Sequence, residues 1–221
     1  MGLLGFGSGE HDKGPASDRL AAMEAQAREE AQRLEQLRAQ VRERDEDRSL
    51  LLETLKALKP GQDPKVMGEN LFELCRRPFD LCTYYLALVD YRKDLMSFPF
   101  YFEGGKPRNS RPATYSTHGG LTVEAMTNRR PLYFLTQESQ EEHGVVYSEA
   151  ERITGLIPQT WYGVPLGIGP GWEERPFGLV SFQSFQKDAF SESRRALMDA
   201  LGAALALALK TDRDRSVIPL P

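Results

Sequence analysis

The best single candidate for a functional side chain in this 221-residue chain is His118. It precedes Gly119 and Gly120, where the sequence predicts the start of a helix, and the free backbone N–H groups of a helix start attract an anion or a carboxylate. Ser116 and Thr117 add two hydroxyl groups beside the imidazole. A solvent-exposed loop histidine without a ligand is the alternative interpretation. A role as haem ligand would need an apolar pocket around the imidazole, which the sequence does not indicate.

Aromatic residues form a second candidate set, concentrated just after Met96 and repeated near the later strands. Aromatic walls with a few polar groups suit a planar organic ligand, while the alternative is that most of these rings belong to the core. Because side chains alternate along a strand, only one of Phe100 and Tyr101 can face a pocket. The predicted ligand-binding residues are Phe98, Phe100, Tyr115, Thr117, His118, Tyr133 and Trp161.

Other reactive residue types do not form a recognisable constellation. The two cysteines, Cys75 and Cys82, have neither Cys-x-x-Cys nor His/Cys metal spacing, so we predict no metal site. Cys82 opens a strand, where a small buried hydrophobe is expected rather than a reactive thiol. The sequence contains no Ser/His/Asp grouping, no phosphate loop and no convincing pair of carboxylates. We therefore predict no catalytic residue, and the sequence identifies no cofactor.

The elements that position these residues begin with a long helix. From Asp18 to Lys59 the chain is rich in Ala, Leu, Glu, Arg and Gln and contains no Gly or Pro. Apolar residues recur on a seven-residue repeat, interrupted at Glu30 and around Arg44, which predicts a coiled coil over residues 17–59. A single exposed helix is the alternative. Residues 1–16 are polar and rich in Gly, and we predict that they are disordered.

A hairpin follows the next, amphipathic helix. The segments CTYYLALVDY and LMSFPFYFEG are separated by a short turn at Arg92, Lys93 and Asp94, and this pattern predicts two antiparallel strands. Pro99 has no N–H group, so its strand should lie at a sheet edge or be bulged there. We expect the loop GGKPRNSRPATYS after the hairpin.

A long polar connection over residues 137–158 comes after a short helix and an extended segment. Within it, Ser148 and Glu151 have the spacing of a capping box, and Gly155 is a suitable helix stop. A connection of this length in a compact domain is usually functional or mobile.

The C-terminal part predicts strand, turn, strand and helix: TWYGVPLGIG, then PGWEER, then a strand ending near Phe185, then a helix after Ser191. Residues 203–209 are all apolar. A helix without a polar stripe needs a partner on its second face, and we predict that this partner is a second copy of the chain. The complete order predicts an α+β domain on an antiparallel sheet over residues 64–210, with 211–221 as a flexible tail.

Three segments resemble the GAF domain family: GLTVEAMTNRRPLYF, TWYGVPLGIG and RPFGLVSFQSFQKDAFSESRRALMDALGAALALAL. The resemblance extends from about Val66 to Lys210. It implies a GAF-like antiparallel sheet with flanking helices, used in signalling proteins as a small-molecule sensor. It also implies that a coiled coil often precedes the domain and that dimers form through the terminal helices as a parallel bundle.

The chain also departs from several branches of that family. The Asn-Lys-x-x-x-Phe signature of cyclic-nucleotide-binding members is absent, and the late-domain region lacks the cysteine to which bilin-binding members attach their chromophore. Free methionine sulfoxide reductase members use cysteines on the loops over the pocket. Here Cys75 and Cys82 lie in the predicted first helix and first strand, so this activity is not indicated.

These observations predict a non-enzymatic, homodimeric sensory or regulatory module that binds a small molecule and signals through its helices to a downstream protein. A dimerisation scaffold without a ligand is the alternative, and a sulfoxide-reductase-type enzyme is the least favoured. The predicted interface of the parallel homodimer comprises Leu20, Leu34, Leu37, Val41, Leu55, Leu201 and Leu205.

Charge and hydropathy exclude some other partners. The net charge is −4 at pH 7, which provides no electrostatic basis for binding nucleic acid or an anionic membrane. No apolar run is long enough to span a bilayer. The first residues lack the basic and apolar regions of a secretory signal, so we expect a cytoplasmic protein.

Overall fold

The computed structural model describes residues 15–167 and 175–215. Contacts divide the chain into two compact units, Met1–Glu46 and Asp47–Pro221. The predicted disorder of residues 1–16 and the predicted turn PGWEER fall largely outside the described residues.

The described elements confirm an α+β domain preceded by a long helix. The helices are α1 (Pro15–Ala57), α2 (Pro64–Cys75), α3 (Tyr115–His118), α4 (Gly120–Asn128), α5 (Gln137–Glu142), α6 (Glu149–Thr154) and α7 (Glu192–Arg215). The strands are β1 (Thr83–Asp90), β2 (Leu95–Glu103), β3 (Lys106–Pro107), β4 (Ala113–Thr114), β5 (Leu132–Phe134), β6 (Thr160–Leu166) and β7 (Gly178–Ser184). Helix α7 extends past Lys210, where the sequence predicted its end.

Within the described ranges, the strands form one antiparallel sheet in the order β3-β2-β1-β7-β6-β5, with β4 also paired to β2. The first and last long strands of the domain are therefore neighbours at the centre of the sheet. The C-terminal strand β7 pairs with β6 along its whole length and with β1 from Gly178 to Gln183. This arrangement joins the beginning and the end of the domain in one hydrogen-bonded unit.

The predicted hairpin of β1 and β2 is confirmed, and so is the irregularity expected at Pro99. Leu86 pairs with Phe100 while Leu88 pairs with Ser97. Two residues of β2, Phe98 and Pro99, therefore stand opposite one residue of β1, which is a β-bulge. Because side chains alternate along a strand, the extra residue reverses the face on which every later side chain of β2 lies.

One face of the sheet packs tightly against α2, α7 and the last turns of α1. Phe72, Tyr84 and Phe182 are completely buried there. Two helical glycines allow the close approach: a Cβ atom at Gly68 would lie 2.8 Å from Phe100 Cβ, and one at Gly202 would lie 2.7 Å from Val164 Cγ1. We call this side of the sheet the helix face.

Helix α7 is buried mainly by its own chain, which corrects two of the predicted interface residues. The side chains of Leu201 and Leu205 are 0% exposed and belong to the same core cluster as Leu50 and Leu58 from the end of α1 and the following residue. The part of α7 that contains Leu201 and Leu205 is thus covered within the domain, which the sequence pattern alone could not distinguish from coverage by another copy. Leu207 remains 61% exposed.

The first compact unit consists, in its described part, of helix α1 up to Glu46. The apolar positions of the seven-residue repeat, Leu20, Leu34, Leu37 and Val41, are between 49% and 60% exposed. Leu55, in the second unit, is also exposed. The helix is confirmed, and the coiled coil stays a prediction.

The opposite side of the sheet, which we call the loop face, is covered by the segments between β2 and β6. Its apolar core is smaller and includes Val89, Met96, Met126, Phe134 and Leu179. The capping box predicted for α6 is present, since Ser148 Oγ accepts from the Glu151 N–H and Glu151 accepts from the Ser148 N–H. Helix α6 ends at Gly155, as predicted.

Candidate functional site

A cavity of about 230 Å³ lies on the loop face of the sheet. Its floor comes from β1, β2, β6 and β7, and its walls come from the start of α4, from α6 and from the segments that precede these helices. Pockets for drug-sized ligands measure roughly 300–1,000 Å³. The cavity is therefore of a size that suits a small metabolite.

An aromatic pair forms the centre of the floor. The indole Nε1 of Trp161 donates to the hydroxyl of Tyr85 at 3.3 Å, and that hydroxyl lies 2.8 Å from Thr122 Oγ1 on α4. The indole ring lies over Gly163, where a Cβ atom would approach the ring to 2.0 Å. Gly163 thus allows the ring to lie against the sheet, and the hydrogen bonds fix both aromatic groups against the cavity.

Two buried carboxylates mark the α6 end of the cavity. Glu151 lines it and is 8% exposed, while Glu103, next to Tyr101 and Ser148 of the lining, is 6% exposed. Glu103 Oε1 accepts from the Tyr101 hydroxyl at 3.1 Å and also from the Ser148 hydroxyl. Burial, followed by the nearby charge of Glu103, raises the pKa of Glu151 above its usual value. Ser148 therefore connects the capping box of α6 to the end of β2 through two acidic groups.

His118 lies at another part of the wall. The following residues, Gly119 and Gly120, have φ angles of 68° and 73°, a left-handed region that glycine adopts without strain. The chain can therefore turn sharply from α3 into α4. Partial burial lowers the pKa of His118, so the imidazole is neutral at pH 7. Its ring centroid is 6.1 Å from that of Phe98.

Three of the predicted binding residues, Phe98, His118 and Trp161, line the cavity. The prediction for Phe100 is corrected, because the bulge at Pro99 directs its side chain to the helix face and brings Tyr101 to the cavity instead. The prediction for Tyr133 is also corrected, because side chains alternate along β5.

Tyr133 alternates with Phe134 along β5 and lies on the helix face. Its hydroxyl donates to Asp188 at 2.9 Å and accepts from the Phe190 N–H at 3.1 Å. Tyr115 packs against Tyr91 beside a separate small cavity, and Thr117 is exposed and outside the lining of the main cavity. Strand alternation explains Tyr133, whereas the positions of the loop residues had no comparable sequence signal.

The sequence interpretation also missed several residues that line the cavity. Glu151 was recognised only as a helix cap, and Gln183 was hidden in a strand whose burial is nearly continuous. Tyr85 lies on the cavity side of β1 because its neighbour Tyr84 is in the helix-side core. The alternation within each strand could have found Tyr85 and Gln183, once the buried neighbour on either side was identified.

The two cysteines lie away from this lining. Cys75 is 0% exposed in the helix-side core, and burial raises the pKa of its thiol. Burial raises the pKa of Cys82 to about 12, so this thiol also stays protonated at neutral pH. Across residues 15–167 and 175–215, no group of three or more His, Cys, Asp and Glu side chains could hold a metal ion.

The antiparallel sheet with its flanking helices has the GAF fold, as solved structures show. A GAF domain from a phosphoenolpyruvate-protein phosphotransferase of Coxiella burnetii matches with a TM-score of 0.61 and 13% identity, over 78% of this chain and 97% of that one. The GAF domain of the Acinetobacter phosphoenolpyruvate-protein phosphotransferase matches with a TM-score of 0.56 and 12% identity, over 81% and 98%.

An enzyme structure has the same fold. The free methionine-R-sulfoxide reductase from Neisseria meningitidis, in complex with its substrate, matches with a TM-score of 0.58 and 14% identity, over 76% of this chain and 91% of that one. No protein-family model matches the sequence, and no curated protein matches it. At these identities the likeness establishes the fold, and function has to be argued from the site.

The helices of the described residues are too short or too polar to span a bilayer.

Proposed function

We propose that this protein is a non-enzymatic, homodimeric sensory module whose loop-face cavity binds a small molecule. The observation that carries the proposal is the cavity itself, which has an aromatic floor and buried polar groups at its α6 end. Such convergent polar groups in a mostly apolar pocket are typical of ligand sites. The GAF fold is consistent with a sensory or regulatory role.

The exposed apolar stripe of α1 supports self-association. Leu34, Leu37 and Val41 lie on the seven-residue repeat and are each about half exposed. A parallel coiled coil between two copies would bury this stripe. Because Leu201 and Leu205 are internal, Leu207 and Leu55 are the exposed leucines that would extend the interface along the domain.

Signalling in such a dimer requires that the ligand bind two helix arrangements unequally. The central strand β7 connects the two faces, since Gln183 lines the cavity while Phe182 packs in the helix-side core. A ligand that shifts this strand would change the packing beneath α7. A downstream protein would then receive the signal from the helices.

Ligand binding can be tested by mass spectrometry of small molecules that co-purify with the full chain. We expect a bound metabolite in the wild type and its loss in Ala113→Trp, because Ala113 lines the cavity and the indole would fill it. Thr114→Trp is the matched control, since this neighbouring residue is exposed and outside the lining. A wild-type protein without any bound or binding metabolite would contradict the sensory role.

A dimerisation scaffold is the second candidate, and the exposed stripe of α1 favours it independently of any ligand. Light scattering should report a dimer for the wild type and a monomer for Leu34→Asp with Leu37→Asp. Gln32→Asp with Gln36→Asp adds the same charges on the other side of the helix and should stay dimeric. A monomeric wild type would contradict both candidates.

The non-enzymatic character is supported by the cysteines. Thiol chemistry needs an accessible thiolate, whereas both thiols are protonated and neither lines the cavity. We expect no turnover of methionine sulfoxide by the full chain. Turnover that is lost in Cys82→Ser would instead indicate a reductase.

A further inference from the structure

We infer that the loop-face cavity selects a small organic cation, an ammonium or guanidinium compound whose charged group lies against Glu151. This inference rests on the proposed function, because it assigns a chemical class to the ligand of the same cavity. It follows from the charges, the burial and the aromatic groups around the site.

The two buried acidic side chains at the α6 end are Glu103 and Glu151. Within the described residues, the only hydrogen-bond donor to the Glu151 carboxylate is Ser148, and neither Glu151 nor Glu103 forms an ion pair. The nearby Arg108 and Arg152 donate to the backbone carbonyls of Glu103 and Ser148, not to these carboxylates. Burying a carboxylate without a paired cation is costly, and a second carboxylate nearby increases the cost. A ligand cation in the cavity would relieve both effects.

The positive groups of the lining are weaker competitors. His118 is neutral at pH 7 because partial burial lowers its pKa. Arg111 is exposed, so solvent screens its charge. The start of α4 carries a partial positive charge of about half an elementary charge, which is smaller than the full charge of one carboxylate.

The aromatic groups of the cavity add attraction for the same kind of ligand. Trp161, Tyr85, Phe98 and Tyr101 line it, and aromatic faces attract organic cations, tryptophan most strongly. Gln183 contributes an amide to the same lining. A neutral ligand would gain the apolar contact alone, while an anion would meet the carboxylate.

The test uses three probes of one shape and different charge: benzylammonium, benzyl alcohol and benzoate. Isothermal titration calorimetry of the full chain at pH 7 should show benzylammonium binding at least about tenfold more tightly than benzyl alcohol, with benzoate weakest. In Glu151→Gln the preference for benzylammonium over benzyl alcohol should fall to about twofold or less. Glutamine also serves at this position of a capping box, so α6 keeps its cap.

Glu149→Gln is the matched control, because Glu149 lies on the same helix but is exposed and outside the lining. It should retain the preference. A preference that persists in Glu151→Gln, or benzyl alcohol or benzoate binding as tightly as benzylammonium to the wild type, would overturn the inference while leaving the cavity a ligand site. Binding of none of the three probes would also overturn it. The sensory role would fail as well only if mass spectrometry found no other metabolite.

Discussion

The two faces of the sheet differ in how completely they are filled. On the helix face, glycines bring α2 and α7 so close that a single Cβ atom would collide, and the large aromatic side chains are completely buried. On the loop face, helices of nine residues or fewer enclose a cavity beside a smaller core. The same strands contribute alternate side chains to both. The helix face is therefore closely packed, whereas the loop face leaves room for a cavity.

The largest expected difference between the faces is in the stability lost when an aromatic ring is removed. Phe182→Ala, on the helix face, should lower the free energy of unfolding by about 3–5 kcal/mol, because the surrounding helices cannot close the space. Phe98→Ala, at the wall of the existing cavity, should cost less than about 1.5 kcal/mol, because this ring is only partly buried. Denaturant unfolding measures both, and equal losses would contradict the comparison.

Adding volume should discriminate between the faces in the same direction. Gly202→Val places methyl groups against Val164 and should destabilise the domain by about 1–3 kcal/mol. Ala113→Val, at the cavity, should change stability by no more than about 0.5 kcal/mol. If thermal unfolding shows that Gly202→Val leaves the stability unchanged, α7 does not pack closely against Val164.

A smaller effect is expected from the polar contact between β6 and α7. The Tyr162 hydroxyl donates to Asp199 Oδ1 at 2.6 Å. Tyr162→Phe should cost about 1 kcal/mol and raise the pKa of Asp199, already raised by burial, still further. The loss should be visible at pH 7 and should decrease as the pH is lowered until the carboxyl group is protonated. A pH-independent difference would argue against this hydrogen bond.

The smallest expected change has the opposite sign. Because burial and Glu103 raise the pKa of Glu151 above its usual value of 4.5, its favourable contribution to folding exists below that value and is lost as the pH rises through the folded-state pKa. Glu151→Gln should therefore be slightly more stable than the wild type at pH 7, and the difference should disappear in acid.

The control for this measurement is Glu149→Gln, which removes an acidic group from the first turn of α6. It should be slightly less stable at pH 7, by roughly 0.3–1 kcal/mol, because negative charge is favourable at a helix start. Thermal unfolding across pH 3–8 would compare the three proteins. A loss of stability in Glu151→Gln at pH 7 would show that the buried carboxylate does not destabilise the folded state.

Local patterns predicted the elements well, and this success has a physical basis. Some residues determine the structure only of their immediate neighbours, so their effect can be predicted from the local sequence. Examples are the turn at Arg92–Asp94, the missing N–H group of Pro99 and the capping pair Ser148 and Glu151. The fold class follows from the order of such elements.

Contacts between distant segments were harder to predict. The pattern of α7 indicated that both its faces are covered, but Leu201 and Leu205 pack against residues of their own chain. Periodicity measures whether a surface is buried and does not identify what buries it. At the α6 end of the cavity, Ser148 contacts Glu103, and these two residues lie far apart in sequence and meet only in the folded domain. No pattern in either segment indicates that meeting.

The bulge of β2 has an evolutionary consequence. If β2 had no bulge, side chains would alternate strictly after Phe98. Phe100 and Phe102 would then lie on the loop face, and Tyr101 and Glu103 would lie on the helix face. Deletion of the codon for Pro99 would thus replace the hydroxyl-bearing ring of Tyr101 at the cavity by the hydrocarbon ring of Phe100 and turn Glu103 away from Ser148, with every flanking amino acid unchanged. Relatives aligned with and without a gap at this point should therefore differ in the chemistry of the loop face more than their percentage identity suggests.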